Sequence, residues 1–168
     1  MNFRLLIFLF ISVSLVGCGK EEMEKNNFFT LDEQNYTLDQ GYWIEYGGGE
    51  AQGYDVDVIL VSASLRPNNN GDELIGVGDG IYLDFNSPIE TLKDGTYIFS
   101  STRAPFTFID AVVIVDYNPT TEEGTLIESI TGGTVEVGNS SNGTTIDFTL
   151  NFGNSSIQGN YTGRLERL

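Results

Sequence analysis

The chain has no histidine anywhere in its 168 residues, and a single cysteine, Cys18. Those two absences remove most of the usual catalytic repertoire. The Ser-His-Asp triad, the Cys-His dyad and the histidine-based zinc sites all need an imidazole. No disulfide can form within the chain, even in an oxidising compartment. Positive charge is scarce as well: 8 Lys and Arg stand against 24 Asp and Glu, a formal net charge of −16. Such a surface repels nucleic acid and anionic headgroups, which excludes nucleic-acid binding. The lysines are Lys20, Lys25 and Lys93, so a Ser-Lys hydrolase would have to rest on Lys93, beside a turn at Asp94-Gly95. No Gly-rich phosphate loop opens a helix. Gly76-Val77-Gly78-Asp79-Gly80 leads into a strand pattern instead and reads as a flexible entry to it. Past residue 27 there is no convincing amphipathic helix.

What is present begins with an address. Arg4 precedes an apolar run from Leu5 to Val16, twelve residues broken only by Ser12 and Ser14. A membrane span needs roughly 20 apolar residues, whereas a short apolar core behind a positive start is the pattern of a secretory signal. Directly after it stand Leu15-Val16-Gly17-Cys18. This resembles the lipobox of bacterial lipoproteins. The resemblance implies cleavage between Gly17 and Cys18 and fatty acylation of Cys18, which holds the chain to a membrane. The small Gly17 lets the peptidase approach, and the thiol carries the lipid.

Gly19-Lys20-Glu21-Glu22 follows, with Glu24 close behind. The residue after the cysteine is Gly, not the Asp associated with inner-membrane retention. A polar residue followed by acids resembles the surface-export signal of Bacteroidetes-type lipoproteins, which implies an outer-membrane, surface-exposed location. Three segments are expected: a lipoprotein signal over 1–17, an acidic flexible tether over 18–27 and one domain over 28–168. Ten extended residues reach at most about 35 Å, enough for the domain to stand clear of the headgroups.

The domain reads as strands and turns. Phe28–Leu31 and Tyr36–Leu38 flank Asp32-Glu33-Gln34-Asn35, a hairpin loop. Tyr54, Val56, Val58 and Leu60 alternate with Asp55 and Asp57, which are expected to face solvent. Ile81, Leu83 and Phe85 alternate with Tyr82 and Asp84, and the β-branched stretch from Phe106 to Tyr117 suits a central strand. Near the C-terminus Val135 and Val137 oppose Thr134 and Glu136. Ile146, Phe148, Leu150 and Phe152 oppose Thr145, Asp147, Thr149 and Asn151, and Ile157, Gly159, Tyr161, Gly163 and Leu165 share the next face. Ser87-Pro88-Ile89-Glu90 fits a capping box, so a short helix is expected there. The expectation is an all-β chain: a single antiparallel β-sandwich, or a closed β-barrel, of about 10 strands ending in a meander. The strands at 132–137, 146–150 and 157–165, with Leu92-Lys93-Asp94-Gly95-Thr96-Tyr97, resemble small surface lipoproteins of Bacteroidetes-type bacteria. That resemblance implies a fold and a location, and no catalytic residues.

Two sets of residues carry candidate chemistry. Only oxygen ligands remain for a metal, and those select hard cations such as Ca²⁺. Asn68, Asn70, Asp72 and Glu73 sit together in one polar loop as possible calcium ligands, though without the spacing of an EF-hand, so a plain hairpin loop explains them too. Asp55 and Asp57 form a possible pair that strand alternation alone also accounts for. Tyr42, Trp43, Tyr46 and Tyr54 cluster in sequence around Gly47-Gly48-Gly49 and could form a sugar-stacking platform. Adjacent Tyr42 and Trp43 must point to opposite faces, so one of them belongs to a core. The expected activity is contact with a glycan or a protein partner, without catalysis. The alternatives are an accessory subunit of an envelope or nutrient-uptake complex, or a small carboxylate-dependent hydrolase.

Overall fold

The computed structural model describes residues 27–71 and 73–168. Residues 17 and 18, and with them the lipobox, lie outside the described part, as does Asp72. The described chain is all-β, as its alternating patterns require. In order the strands are β1 (Phe28–Leu31), β2 (Gln34–Thr37), β3 (Gln40–Gly49), β4 (Gly53–Val61), β5 (Arg66–Pro67), β6 (Leu74–Ile75) and β7 (Gly78–Ser87). There follow β8 (Gly95–Phe99), β9 (Thr107–Asn118), β10 (Glu123–Ile127), β11 (Gly132–Ser140), β12 (Gly143–Phe152), β13 (Ser155–Gly163) and β14 (Leu165–Arg167).

Twelve of these form one sheet, in the order β14-β3-β4-β7-β9-β8-β11-β12-β13-β1-β2, with β10 alongside β9. β5 and β6 make a separate two-stranded hairpin. The sheet is curled rather than flat. β13 pairs with β12 and β1, and after the single residue Arg164 the chain pairs again, as β14, with β3. The last strand thus reaches from one end of the sheet to the other, and the sheet wraps its own core in the manner of a half-barrel. Bulges between Glu45 and Gly47 in β3, and at Ile109 of β9 opposite Asp84 and Phe85, add local twist.

The expected C-terminal meander is present as β11-β12-β13, with Val135 opposite Phe148 and Leu150 opposite Ile157. Gly159 stands opposite Phe148, and the position takes glycine because a Cβ there would stand 2.4 Å from the Phe148 ring. The expected β1–β2 hairpin also forms, with a tighter turn than the sequence suggests. Only Asp32 and Glu33 make it, both at positive φ (49° and 65°), a backbone that matches strand twist. Gln34 and Asn35 are already in β2.

Two expectations need correction, and one strand is additional to them. The sheet is mixed, not wholly antiparallel: β8–β9 and β14–β3 are parallel pairs. No helix forms at Ser87. Instead of capping amide groups two or three residues on, the buried Ser87 hydroxyl donates to the Thr91 carbonyl at 2.6 Å and accepts from the Lys93 amide at 3.2 Å, closing a loop. Finally, β10 was not apparent in the sequence, because its exposed Glu123-Gly124-Thr125-Leu126 carries no alternation.

The inner face holds the main core. Val56, Val58 and Leu60 of β4, Ile81, Leu83 and Phe85 of β7, and Phe108 and Val113 of β9 meet Val135, Ile146, Leu150 and Ile157 from the far side. Phe85 lies 4.8 Å edge-on to Tyr97 and 6.3 Å from Phe108. The outer face is the one that divides into two unlike halves.

Candidate functional site

On β3, β4, β7 and β9 the outer face is roofed. At one end Tyr42, Val61 and Leu65 form a second, small core with Ile59, Leu74, Ile114 and Leu168 around it. The residues from Leu65 to Leu74, carrying β5 and β6, and the C-terminal residue supply the cover. At the other end the cover is the connection from β8 to β9, residues 100–106. A parallel neighbour cannot be reached by a tight turn, so this segment folds back over the sheet and brings Arg103 onto it.

Beneath Arg103 lies an acidic cluster that alternation alone would have put in water. Asp57 and Asp84 are neighbours in register on β4 and β7. Both residues are buried, at 8% and 9% exposure, which corrects the expectation that Asp57 faces solvent. Asp55, half-buried, completes a trio whose carboxylate oxygens lie within 4.8 Å of one another. The Arg103 guanidinium bridges them, 3.1 Å from Asp55 and 3.2 Å from Asp84, and donates to Asn86 Oδ1 at 2.8 Å. The Tyr82 hydroxyl donates to Asp57. Three acids against one guanidinium leave the cluster short of positive charge. Burial, reinforced by the neighbouring Asp55, pushes Asp84 up to about 7 despite Arg103. Burial likewise pushes Asp57 up to about 6, with the Tyr82 hydrogen bond pulling the other way. Tyr82 itself is raised, first by burial and then by the charge on Asp57.

The strap is held by more than its charge. Thr107 Oγ1 donates to the Ala104 carbonyl at 2.7 Å and accepts from Asn86 Nδ2 at 2.9 Å. The Phe106 amide donates to the Asn86 carbonyl at 2.9 Å while Phe106 sits at a φ of 61°. A bulky residue in that region is strained, and the surrounding bonds hold it there. Neither of the two grooves described below is lined by Asp55, Asp57 or Asp84. The trio has the donor set for a hard cation, but the Arg103 guanidinium already occupies the position facing Asp55 and Asp84.

The aromatic residues expected to form a platform are dispersed. Tyr42 is in the small outer core. Trp43 and Tyr54 pack against the main core, and the Arg167 guanidinium lies 5.3 Å above the Trp43 ring. Tyr46 is open, at 63% exposure, beside Asp55 and Asp57. One face does not gather them. Alternation explains why: adjacent Tyr42 and Trp43 face opposite sides, Tyr54 shares the inner side with Val56 and Val58, and Tyr46 is left beside Asp55 and Asp57 on the outer one. The polar loop at 68–73 is a hairpin connection between β5 and β6. Asn68 Oδ1 accepts the amides of Asn70 and Gly71 at 3.0 and 2.9 Å, and the Asn68 amide donates to the Glu73 carbonyl at 2.8 Å. The oxygen that would face a cation is thus turned into its own loop.

Over β11, β12, β13 and β1 the outer face is bare. Cross-strand register places Thr134, Thr149, Gln158 and Thr30 in one row and Glu136, Asp147, Asn160 and Phe28 in the next. These two rows line a shallow groove of about 490 Å³, the largest of those described here. Its lining contains no lysine or arginine. Among the described residues, no side-chain hydrogen bond or ion pair engages Thr134, Glu136, Thr149 or Gln158. Asn160 Oδ1 is buried without a hydrogen-bond partner, a state that costs about 1–3 kcal/mol.

A groove of about 370 Å³ at the mouth of the curled sheet, between Trp43, Leu165 and the loop after β7, makes a useful contrast. There the polar groups satisfy one another. Asn139 Nδ2 donates to the Leu92 carbonyl at 2.9 Å and to Asp94 at 2.6 Å, and Thr144 donates to Asn139 Oδ1 at 2.7 Å. Sequence reasoning identified the outward direction of Thr134, Glu136, Asp147 and Thr149. It did not identify them as a site, because the rows join only once four strands are in register. Comparison with protein-family models, curated proteins and solved structures returned no match.

Proposed function

We propose that this chain is a lipid-anchored bacterial envelope protein, held through Cys18 and carrying on an acidic tether a β domain whose work is contact with a glycan or a protein partner. The observation that carries this reading is the division of the outer face. The titratable cluster with raised carboxyl groups lies under a strap, clamped by Arg103 and outside the described grooves. The open groove, in contrast, holds hydroxyls, amides and two acids, with no histidine, cysteine or lysine to act as base or nucleophile. Buried acids under a clamp hold a loop in place; Thr134, Glu136, Thr149 and Gln158, whose side chains no other described residue engages, are open on an exposed face to meet a partner.

The anchor is tested by metabolic labelling with a fatty acid. The wild-type chain is expected to take up label, to sediment with outer membrane and to be cut by protease added to intact cells. Cys18→Ala is expected to lose all three. A labelled chain that protease cannot reach would place the domain on the inner side of the membrane, and an unlabelled wild type would sink the anchor.

An accessory role in an envelope or nutrient-uptake assembly is the second reading, favoured by one feature. β10 pairs with β9 alone among the described strands and exposes Leu126, so its outer edge can accept another strand. Co-purification of an outer-membrane protein that is lost on Thr125→Pro would select this reading, since proline removes an edge donor.

A further inference from the structure

We propose that the groove over β11, β12, β13 and β1 binds an uncharged oligosaccharide, laid across the strands with one sugar ring against Phe28. The proposal rests on the contact reading above and names the ligand class and the residues. Four observations lead to it.

The first is charge. Glu136 and Asp147 are the ionisable residues of the lining, and both are acids. Sulfated, phosphorylated or uronic-acid ligands are repelled from such a surface. The second is donor and acceptor chemistry. Thr134, Thr149 and Gln158 offer hydroxyl and amide groups that no other described side chain engages, and the two carboxylates accept only. Sugar hydroxyls both donate and accept, so they suit this mixture better than any apolar ligand. The third is shape. Strands lie about 4.8 Å apart, so the row from Thr134 to Thr30 spans about 14 Å, enough to take a short oligosaccharide rather than a single ring. Phe28, half-buried beside Asn160, ends the second row and supplies an apolar plane. The exposed Ile98 continues the first row beyond Thr134 on the opposite side. The fourth is Asn160. Its unpartnered oxygen is the one buried side-chain polar atom among the described residues without a partner. A turn of that carboxamide towards a ligand hydroxyl would satisfy it.

The full chain, purified in detergent, is to be applied to an array of neutral glucose-, mannose- and xylose-based oligosaccharides beside galacturonate oligomers. Binding to at least one neutral set is expected. It should persist from low salt to 0.5 M NaCl, because screening does not weaken contact with an uncharged ligand. The double variant Thr149→Ala/Gln158→Ala is expected to lower affinity roughly tenfold to a hundredfold, as two hydrogen bonds would. Both side chains are outside the core, and the urea midpoint checks that the variant is folded. If it is not, Gln158→Arg, which fills the groove from its exposed position, takes its place. Neutral-sugar binding that survives in the folded variants overturns the site. Binding confined to galacturonate, or lost in salt, overturns the ligand class and leaves the contact reading standing. No binding to any sugar overturns the inference, and co-purification with an envelope protein then decides whether the contact reading survives without it.

Discussion

The two halves of the outer face are built from the same sheet and the same alternation, yet one is covered and the other is not. On β4 and β7 the outward positions carry Asp57, Ile59, Val61, Tyr82 and Asp84, a mixture of charge and bulk. On β11, β12 and β13 they carry Thr134, Glu136, Thr149 and Gln158, which water solvates well. The first set needs a roof for its apolar members. The roof then buries the acids, and the acids need Arg103. The second set needs nothing above it. The burial of a polar group here follows from its neighbours' need for cover, not from its own preference.

The largest expected effect breaks the roofed half. Arg103→Ala leaves Asp55, Asp57 and Asp84 together without their guanidinium, and removing one partner of a buried ionic network costs about 3 kcal/mol. Urea denaturation at pH 8 should show that loss. At pH 5 the same variant should lose much less, since protons then neutralise the acids in place of the arginine. An equal loss at both values would mean that the guanidinium acts by packing alone.

Next comes the pH dependence of the wild type. The folded values of Asp84, about 7, and Asp57, about 6, stand above the ordinary carboxyl value near 4. A group raised in this way binds its proton more tightly folded than unfolded. Its contribution to stability is therefore complete below about pH 4 and is lost as pH rises through 6 and 7. The melting temperature should fall from pH 5 to pH 8, and Asp84→Asn should flatten that slope. Tyr82→Phe removes the hydroxyl that donates to Asp57 and should cost about 1 kcal/mol. It should also move the Asp57 titration further up, because that hydrogen bond holds it down. A carboxyl titration by NMR that leaves Asp57 unmoved would remove Tyr82 from the network.

Legibility in the sequence follows the same division. The meander was readable because Ile146, Phe148, Leu150 and Phe152 keep strict period two against polar partners. The outward direction of Thr134 and Thr149 came from the same pattern. Asp57 was misread because alternation gives direction and not cover: the roof over it comes from residues 100–106, more than forty positions away. Tyr46 and Trp43 were misgrouped because nearness in sequence is not a shared face: three positions apart on one strand, they point to opposite sides. β14 could not be separated from β13, since the change of partner happens at Arg164 within one continuous apolar alternation.

The smallest expected effect tests the bare half. Thr134→Ala and Thr149→Ala should each change stability by about 0.5 kcal/mol or less, the usual range for surface positions. Any loss should reflect the weaker strand preference of alanine, on a scale that spans only about 1 kcal/mol. The two substitutions should not simply add, because Thr134 and Thr149 are direct cross-strand partners whose side chains stand next to each other. The informative result is the opposite one. If Thr149→Ala costs well over 1 kcal/mol, its hydroxyl is part of the scaffold. The bare rows would then be a stabilising ladder of side chains, and the contrast between a half that is held and a half that is free to bind would fail at its second term.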